Sequence, residues 1–279
     1  MPERLKNVIR TIHVRFLAKP LPRKIAIYFH ELEPTTWTAF EKCLAYFKSL
    51  GYRSASPYEF ANDDSERRLL FLSFDDNFSN WHSALPLLSK FKYHATFYVN
   101  TLPFRDVCSG LEIEEFFGRV DYNGDDVPLS RPELREIADA GHTIGCHSHS
   151  HQPLTSVPRH LWRLEIASSK RQLEDIIGRP VTDFSYPYGM RRFFSPELRD
   201  YCVEAGFRTI ATGIPGLQVA KQVDPLQIHR TRWRLDTSLH ENLADLRVDG
   251  RIFEQLTGRS SVGCRLVHLL PSFTPFSCW

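Results

Sequence analysis

Short apolar, β-rich runs alternate along this chain with stretches whose apolar residues recur every three or four positions. IAIYFH (25–30) predicts a buried strand. Residues 38–50 place Phe40, Leu44, Phe47 and Leu50 on one helical face, and Gly51 ends the pattern. A polar loop spans 61–68. LLFLSF (69–74) and ATFYVN (95–100) predict the second and third strands, with a helix over about 80–91 between them. Ser130 as N-cap, Pro132 in the first turn and Glu133 at the third position start a helix that stops at Gly141. Strands follow at 143–146, 181–186, 207–212 and 227–233. Helices are predicted over 159–177, closed by Gly178, and over 195–205. Residues 240–258 also have a helical pattern.

Strands that alternate with helices imply βαβ units and a parallel sheet. About seven such units in one domain predict an α/β fold closed into a (β/α) barrel. The expected division is an N-terminal arm over 1–22, a barrel over 23–259 and a tail over 260–279. In such barrels the chemistry sits at the C-terminal ends of the strands.

That rule picks out three stretches. GHTIGCHSHSHQPL (141–154) carries His142, His147, His149 and His151 just after the fourth strand. His147 and His151 are four apart, so one turn brings both rings to one point, a usual start for a zinc-type site. Asp75 and Asp76 end the second strand. Adjacent carboxylates on a strand face different ways, so one can bind a metal while the other acts as a base. Tyr186-Pro187-Tyr188-Gly189 forms a rigid turn after the fifth strand, with backbone N–H groups suited to a developing oxyanion. Each motif alone reads as an ordinary loop or turn. All three at one end of one sheet favour a metal site.

The rest of the composition narrows the class. A formal charge of +2 over 279 residues argues against a nucleic-acid or other polyanionic partner. No apolar run is long enough to span a bilayer. The basic N-terminal stretch lacks an apolar core and a cleavage site, so a cytoplasmic location is expected. The six cysteines are scattered without a CxxC pair, which fits reduced thiols. Cys146 lies among the histidines; we read it as a small buried residue rather than a soft ligand.

SFDD (73–76), ATFYV (95–99), GHTIGCHSHSHQPL (141–154) and FSYPYG (184–189), in this order and spacing, resemble the polysaccharide deacetylase family, also known as the NodB-homology domain or carbohydrate esterase family 4. The resemblance runs from about residue 25 to 233. It implies a distorted barrel of about seven parallel strands and a divalent metal. Zinc is expected, with cobalt, nickel or manganese as alternatives. It further implies removal of an acetyl group from a sugar. Matched by motif, Asp76, His147 and His151 are the ligands, Asp75 the base and Tyr188 the oxyanion-hole residue. His149 falls on a variable position of the loop, and Ser148 is expected to brace that loop by hydrogen bonding.

Three departures from the family pattern stand out. Asn77 replaces a glycine, and asparagine is the next best residue at positive φ. Ser185 occupies the place of an arginine that orients the base; Arg230 or Arg232 can supply that charge. The late Leu-x-x-His motif, source of the general acid, has its candidate in Leu226 to His229, although the HRTRW run equally places Arg230 there. His30, Pro187, Arg230 and Trp233 are the expected substrate-side residues. Tyr98 is read as core, and His82, His94, His142, His160 and His240 as surface or packing residues. The long 101–129 segment is expected to wall the site. The expected substrate is an N-acetylated amino sugar in surface polysaccharide or lipopolysaccharide synthesis. Another C–N hydrolase on this fold and a non-catalytic carbohydrate-binding member are the competing readings.

Overall fold

In the computed structural model, residues 21–215 and 223–246 are described. Nine strands and eight α-helices occur among them. The strands are β1 (Lys24–Phe29), β2 (Arg53–Ser54), β3 (Leu69–Asp76), β4 (Thr96–Val99), β5 (Thr143–Cys146), β6 (Asp183–Ser185), β7 (Thr209–Thr212), β8 (Ile228–His229) and β9 (Thr231–Arg232). The helices are α1 (Trp37–Ser49), α2 (Pro57–Asn62), α3 (Ala84–Phe91), α4 (Gly110–Arg119), α5 (Arg131–Asp139), α6 (Ser169–Ile177), α7 (Pro196–Glu204) and α8 (Leu239–Leu246). Every strand pairing is parallel.

The sheet runs β8-β7-β6-β5-β4-β3-β1-β9, with β2 off this path on β3. Its first and last members are two halves of one stretch, 228–232. Ile228 and His229 pair with β7, while Thr231 and Arg232 pair with β1. That stretch therefore closes the sheet into a barrel of seven staves. The sequence pattern predicts it as one strand, 227–233. The structure breaks it at Arg230, which faces inward and is fully buried.

Two apolar layers follow from strand alternation. Leu70, Leu72 and Phe74 of β3 point outward and meet Phe40, Leu44 and Phe47 of α1 in the larger core. Phe74 stacks on Phe97 of β4 at 4.8 Å. Leu69, Phe71, Tyr98, Ala211 and Ile228 belong to the smaller cluster that fills the barrel interior. Alternation carries Ser73 and Asp75 to that inner side.

Other differences are local. The predicted 159–177 helix is a 3-10 turn (Arg159–Leu161), a π turn (Arg163–Ser168) and then α6. The predicted 80–91 helix begins as a 3-10 turn, Ser79–Ser83. Strand β2 and helix α2 are too short for periodicity to register. The predicted 240–258 helix is present as α8 up to Leu246, and its remainder lies outside the described residues, as do the tail and most of the arm. No helix among the described residues is long and apolar enough to cross a membrane.

Gly145 shows how tightly the barrel interior is filled. A Cβ there would lie 2.4 Å from a Tyr98 ring carbon and 3.1 Å from the Asp183 carbonyl. Gly145→Ala is expected to destabilise the protein by about 1–3 kcal/mol through overpacking, read as a lower urea midpoint. An unchanged midpoint would contradict this packing.

Candidate active site

Asp75 and Asp76 end β3 with their side chains directed apart, as adjacent strand positions require. Asp75 stays on the inner side. Asp76 would be carried outward, but its φ of 87° turns the carboxylate over the barrel mouth. There it meets the histidine loop. Asp76 Oδ1 lies 3.4 Å from His147 Nε2 and 3.2 Å from His151 Nε2. The three ligand atoms fall within 4.8 Å of one another, the one such group among the described residues.

The donor set fits a divalent metal. Asp76 Oδ1 is buried without a hydrogen-bond partner. Ligand atoms about 2.1 Å from a shared ion at tetrahedral angles are about 3.4 Å apart, close to the observed spacings. His147 Nδ1 donates to the Ser185 carbonyl at 2.8 Å, which leaves the Nε2 lone pair facing Asp76. Burial lowers the His151 pKa to about 4, so its imidazole is neutral and able to ligate near neutral pH.

The loop that carries the histidines is pinned from behind. Asn100 Nδ2 donates to the His147 carbonyl. Ser148 Oγ accepts from the His151 amide at 3.2 Å, the bracing role expected of it. Buried Glu165 accepts from the His149 and Ser150 amides at 3.2 and 3.0 Å and from the Ser150 hydroxyl at 2.6 Å. Glu165 sits in the π turn before α6. Sequence reading missed Asn100 and Glu165, whose only signal is being polar within apolar patterns. His149 turns away to Thr101 Oγ1 at 2.9 Å. Cys146 is buried against Ser169, with burial raising its thiol to about 12, so it packs rather than ligates.

Asp75 is held by a different device. Arg230 Nη1 and Nη2 donate to its two oxygens at 2.7 Å each, a bidentate pair. Arg230 also donates to Ser73 Oγ at 2.8 Å, Ser185 Oγ at 2.7 Å and the Thr212 carbonyl at 3.1 Å. All five of its N–H groups are used. The guanidinium lies 4.8 and 5.0 Å from the Tyr28 and Tyr98 ring centroids. Burial pushes the Asp75 carboxyl up, but Arg230 outweighs it and holds Asp75 below the usual carboxylate range. The charge absent from position 185 thus comes from 230. Ser185 joins the two, accepting from Arg230 and donating to Asp75 Oδ2 at 3.3 Å.

A cavity of about 560 Å³ opens over these groups, lined among others by His30, Asp75, Asp76, His147, His151 and Tyr188. The 101–129 segment contributes Arg119, Val120 and Asp121 to its wall. His30 Nε2 stands 4.0 Å from Asp76 Oδ2, and its Nδ1 is buried without a partner. The Tyr188 ring lies 4.7 Å from His151, and its φ of 62° directs the backbone of the PYG turn.

Several expectations are corrected. His229 alternates with inward-facing Arg230, bonds Thr212 Oγ1 at 2.8 Å and does not line the cavity, so it does not present a general acid there. Trp233 is buried against Phe47 at 5.4 Å and packs the core instead of stacking on a sugar. Arg230 touches the cavity but has no donor left for a ligand. Pro187 is buried and sets the turn, while its neighbours Tyr186, Tyr188 and Gly189 line the cavity. Residue 77 needs no positive φ: that conformation falls on Asp76, and Asn77 instead ties Asn100 O and Leu129 N at 2.9 and 2.8 Å.

Arg230→Met leaves Asp75 buried without its cation. The expected loss is about 3–5 kcal/mol of stability, measured by urea denaturation. A variant as stable as the parent would contradict the pairing described.

The comparisons with known proteins agree with this geometry. The family model for polysaccharide deacetylases matches residues 62–210. The Bacillus subtilis protein named "Putative polysaccharide deacetylase YxkH" is 22% identical over 199 residues, covering 69% of this chain and 63% of that protein. The fold is similar to Streptococcus pyogenes deacetylase PplD in complex with acetate, at TM-score 0.60 and 20% identity over 79% of this chain and 96% of that one. It is likewise similar to IcaB from Ammonifex degensii, at TM-score 0.61 and 19% identity over 80% and 95%. With Asp75, Asp76, His147, His151 and the PYG turn assembled at one barrel mouth, the chain belongs to the polysaccharide deacetylase family.

Proposed function

We propose that this protein is a metal-dependent hydrolase that removes an N-acetyl group from an amino sugar within a saccharide. The observation that carries this is the division of labour at the end of β3. Asp75 is locked by Arg230, and Asp76 is left unbonded beside two imidazoles, in one cavity. The cavity volume is in the range of small-ligand sites. The acetate in the PplD complex supports an acetyl substrate for this fold.

Asp76, His147 and His151 would hold the metal, with zinc the first choice and cobalt, nickel or manganese alternatives. When bound, the ion would supply Lewis acidity toward an acetyl carbonyl and a water molecule. Asp75 takes the proton from that water, with its carboxylate aimed by Arg230 and Ser185. The Tyr188 amide, which makes no backbone hydrogen bond among the described residues, faces the developing oxyanion. His30, across from the histidine pair, replaces His229 as the donor to the departing amine. The products are acetate and a free amino sugar. A cytoplasmic place in surface polysaccharide or lipopolysaccharide synthesis remains part of the proposal.

The test is acetate release from N-acetylated mono- and oligosaccharides, with and without chelator, for the parent and Asp75→Asn. The parent is expected to release acetate and to lose that activity with chelator. Asp75→Asn should lose about 10²–10⁴-fold in kcat while its bound metal, read by elemental analysis, is retained. Metal without acetate from any sugar would favour another amide or a binding role, and full activity in Asp75→Asn would remove it as the base.

A further inference from the structure

Four arginines line the cavity, and three of them are spent. Arg230 has used every donor on Asp75 and its neighbours. Arg119 bonds the Ser150 carbonyl at 3.1 Å and Glu115 at 3.3 Å. Arg234 pairs with Asp245 at 3.1 Å. Arg232 differs: it is exposed, and its guanidinium has no hydrogen bond or ion pair among the described residues. Its place is fixed by the strand that closes the barrel. Arg232 is level with Tyr28 on β1, and His30 lies two residues further along towards the mouth. The unpaired cation therefore stands on the His30 side of the site. Besides Asp76 at the mouth, the acidic lining residue with no hydrogen bond or ion pair among the described residues is Asp121, on the wall built by the 101–129 segment.

We propose, on the basis of the deacetylase reading, that the saccharide bound here carries an oxyanion, a phosphate or a carboxylate, near its acetamido group, and that Arg232 binds it. The planar guanidinium matches either group in a bidentate manner. A neutral polymer would offer this cation only hydroxyl and amide oxygens, weaker acceptors than an ionised phosphate or carboxylate. The rigid backbone on either side, paired to β1, keeps the side chain at the cavity rather than over open surface.

The experiment compares the metal-loaded parent with Arg232→Gln on three N-acetylglucosamine compounds. These are a 1-phosphate, a disaccharide with a uronic acid, and neutral chitobiose. Calorimetric binding is measured beside acetate release. For the parent, at least one anionic compound should show the higher kcat/KM, with an advantage that shrinks as salt is raised. In Arg232→Gln the anionic-to-neutral ratio of kcat/KM should fall about tenfold, the scale of one charge-assisted hydrogen bond. The change should reside in KM, and Arg232→Lys should restore part of it. Whichever anionic compound responds identifies the group as phosphate or carboxylate. Equal use of neutral and anionic sugars by the parent, or an unchanged ratio in Arg232→Gln, would overturn the proposal. If no compound releases acetate, the deacetylase reading fails, and binding still decides the role of Arg232. Equal affinity of parent and variant for the sugar phosphate and the uronic acid disaccharide would then overturn it.

Discussion

Two carboxylates side by side at the end of a buried strand are the constraint on which the rest of this structure turns. Asp75 and Asp76 are 3% and 2% exposed. A buried charge without a partner costs several kcal/mol, and two like charges in sequence add to that. The barrel resolves the problem by separating them. Asp75 receives a full guanidinium fork from below. Asp76, turned over the mouth, has Oδ1 buried without a hydrogen-bond partner and faces the ring nitrogens of His147 and His151. The unmet demand is what suits the mouth to a metal ion under the proposed function, and the met one is what fixes the Asp75 carboxylate in place.

Much of the architecture serves that separation. Arg230 reaches the interior by strand alternation, in step with inward Ile228, on the stretch that pairs with β7 on one side and β1 on the other. Tyr28 and Tyr98 flank its guanidinium, and Gly145 leaves the space that the Tyr98 ring occupies. Above, Asp76, Ser148, His151 and Tyr188 all adopt positive φ without being glycine. Such conformations cost of order 1–3 kcal/mol each and persist only where surrounding contacts impose them. Here the contacts are Glu165 and Asn100 behind the histidine loop and the buried Pro187 in the neighbouring turn.

The staves and the cluster of Asp76, His147 and His151 were legible in the sequence because each leaves a local mark. Apolar runs mark β1, β3 and β4. The i, i+4 histidines mark the loop. The DD pair at a strand end marks the two carboxylates at the barrel mouth. What stayed hidden depends on contacts remote in sequence. Arg230 meets Asp75 across 155 positions, and no spacing rule distinguishes it from Arg232. The His229 and Trp233 readings failed because alternation along 228–233 sends Ile228, Arg230 and Arg232 to the inner side and the cavity and carries His229 and Trp233 to the other face, a phase that the motif match did not fix. Glu165 was passed over because its one mark is a polar residue among the buried positions Trp162, Ile166 and Leu173, and its partners are the amides of a loop about fifteen residues earlier. The Asn77 expectation failed because the strained φ lies one residue earlier.

The most direct measurement is calorimetric titration of chelator-stripped protein with zinc, for the parent and for Asp76→Asn. The account predicts one site per chain in the parent and a loss of affinity of at least about tenfold in the variant, since Asp76 is the only anionic ligand of the three. No zinc binding in the folded parent, or equal binding in Asp76→Asn, would contradict the assignment of Asp76, His147 and His151 as a metal centre.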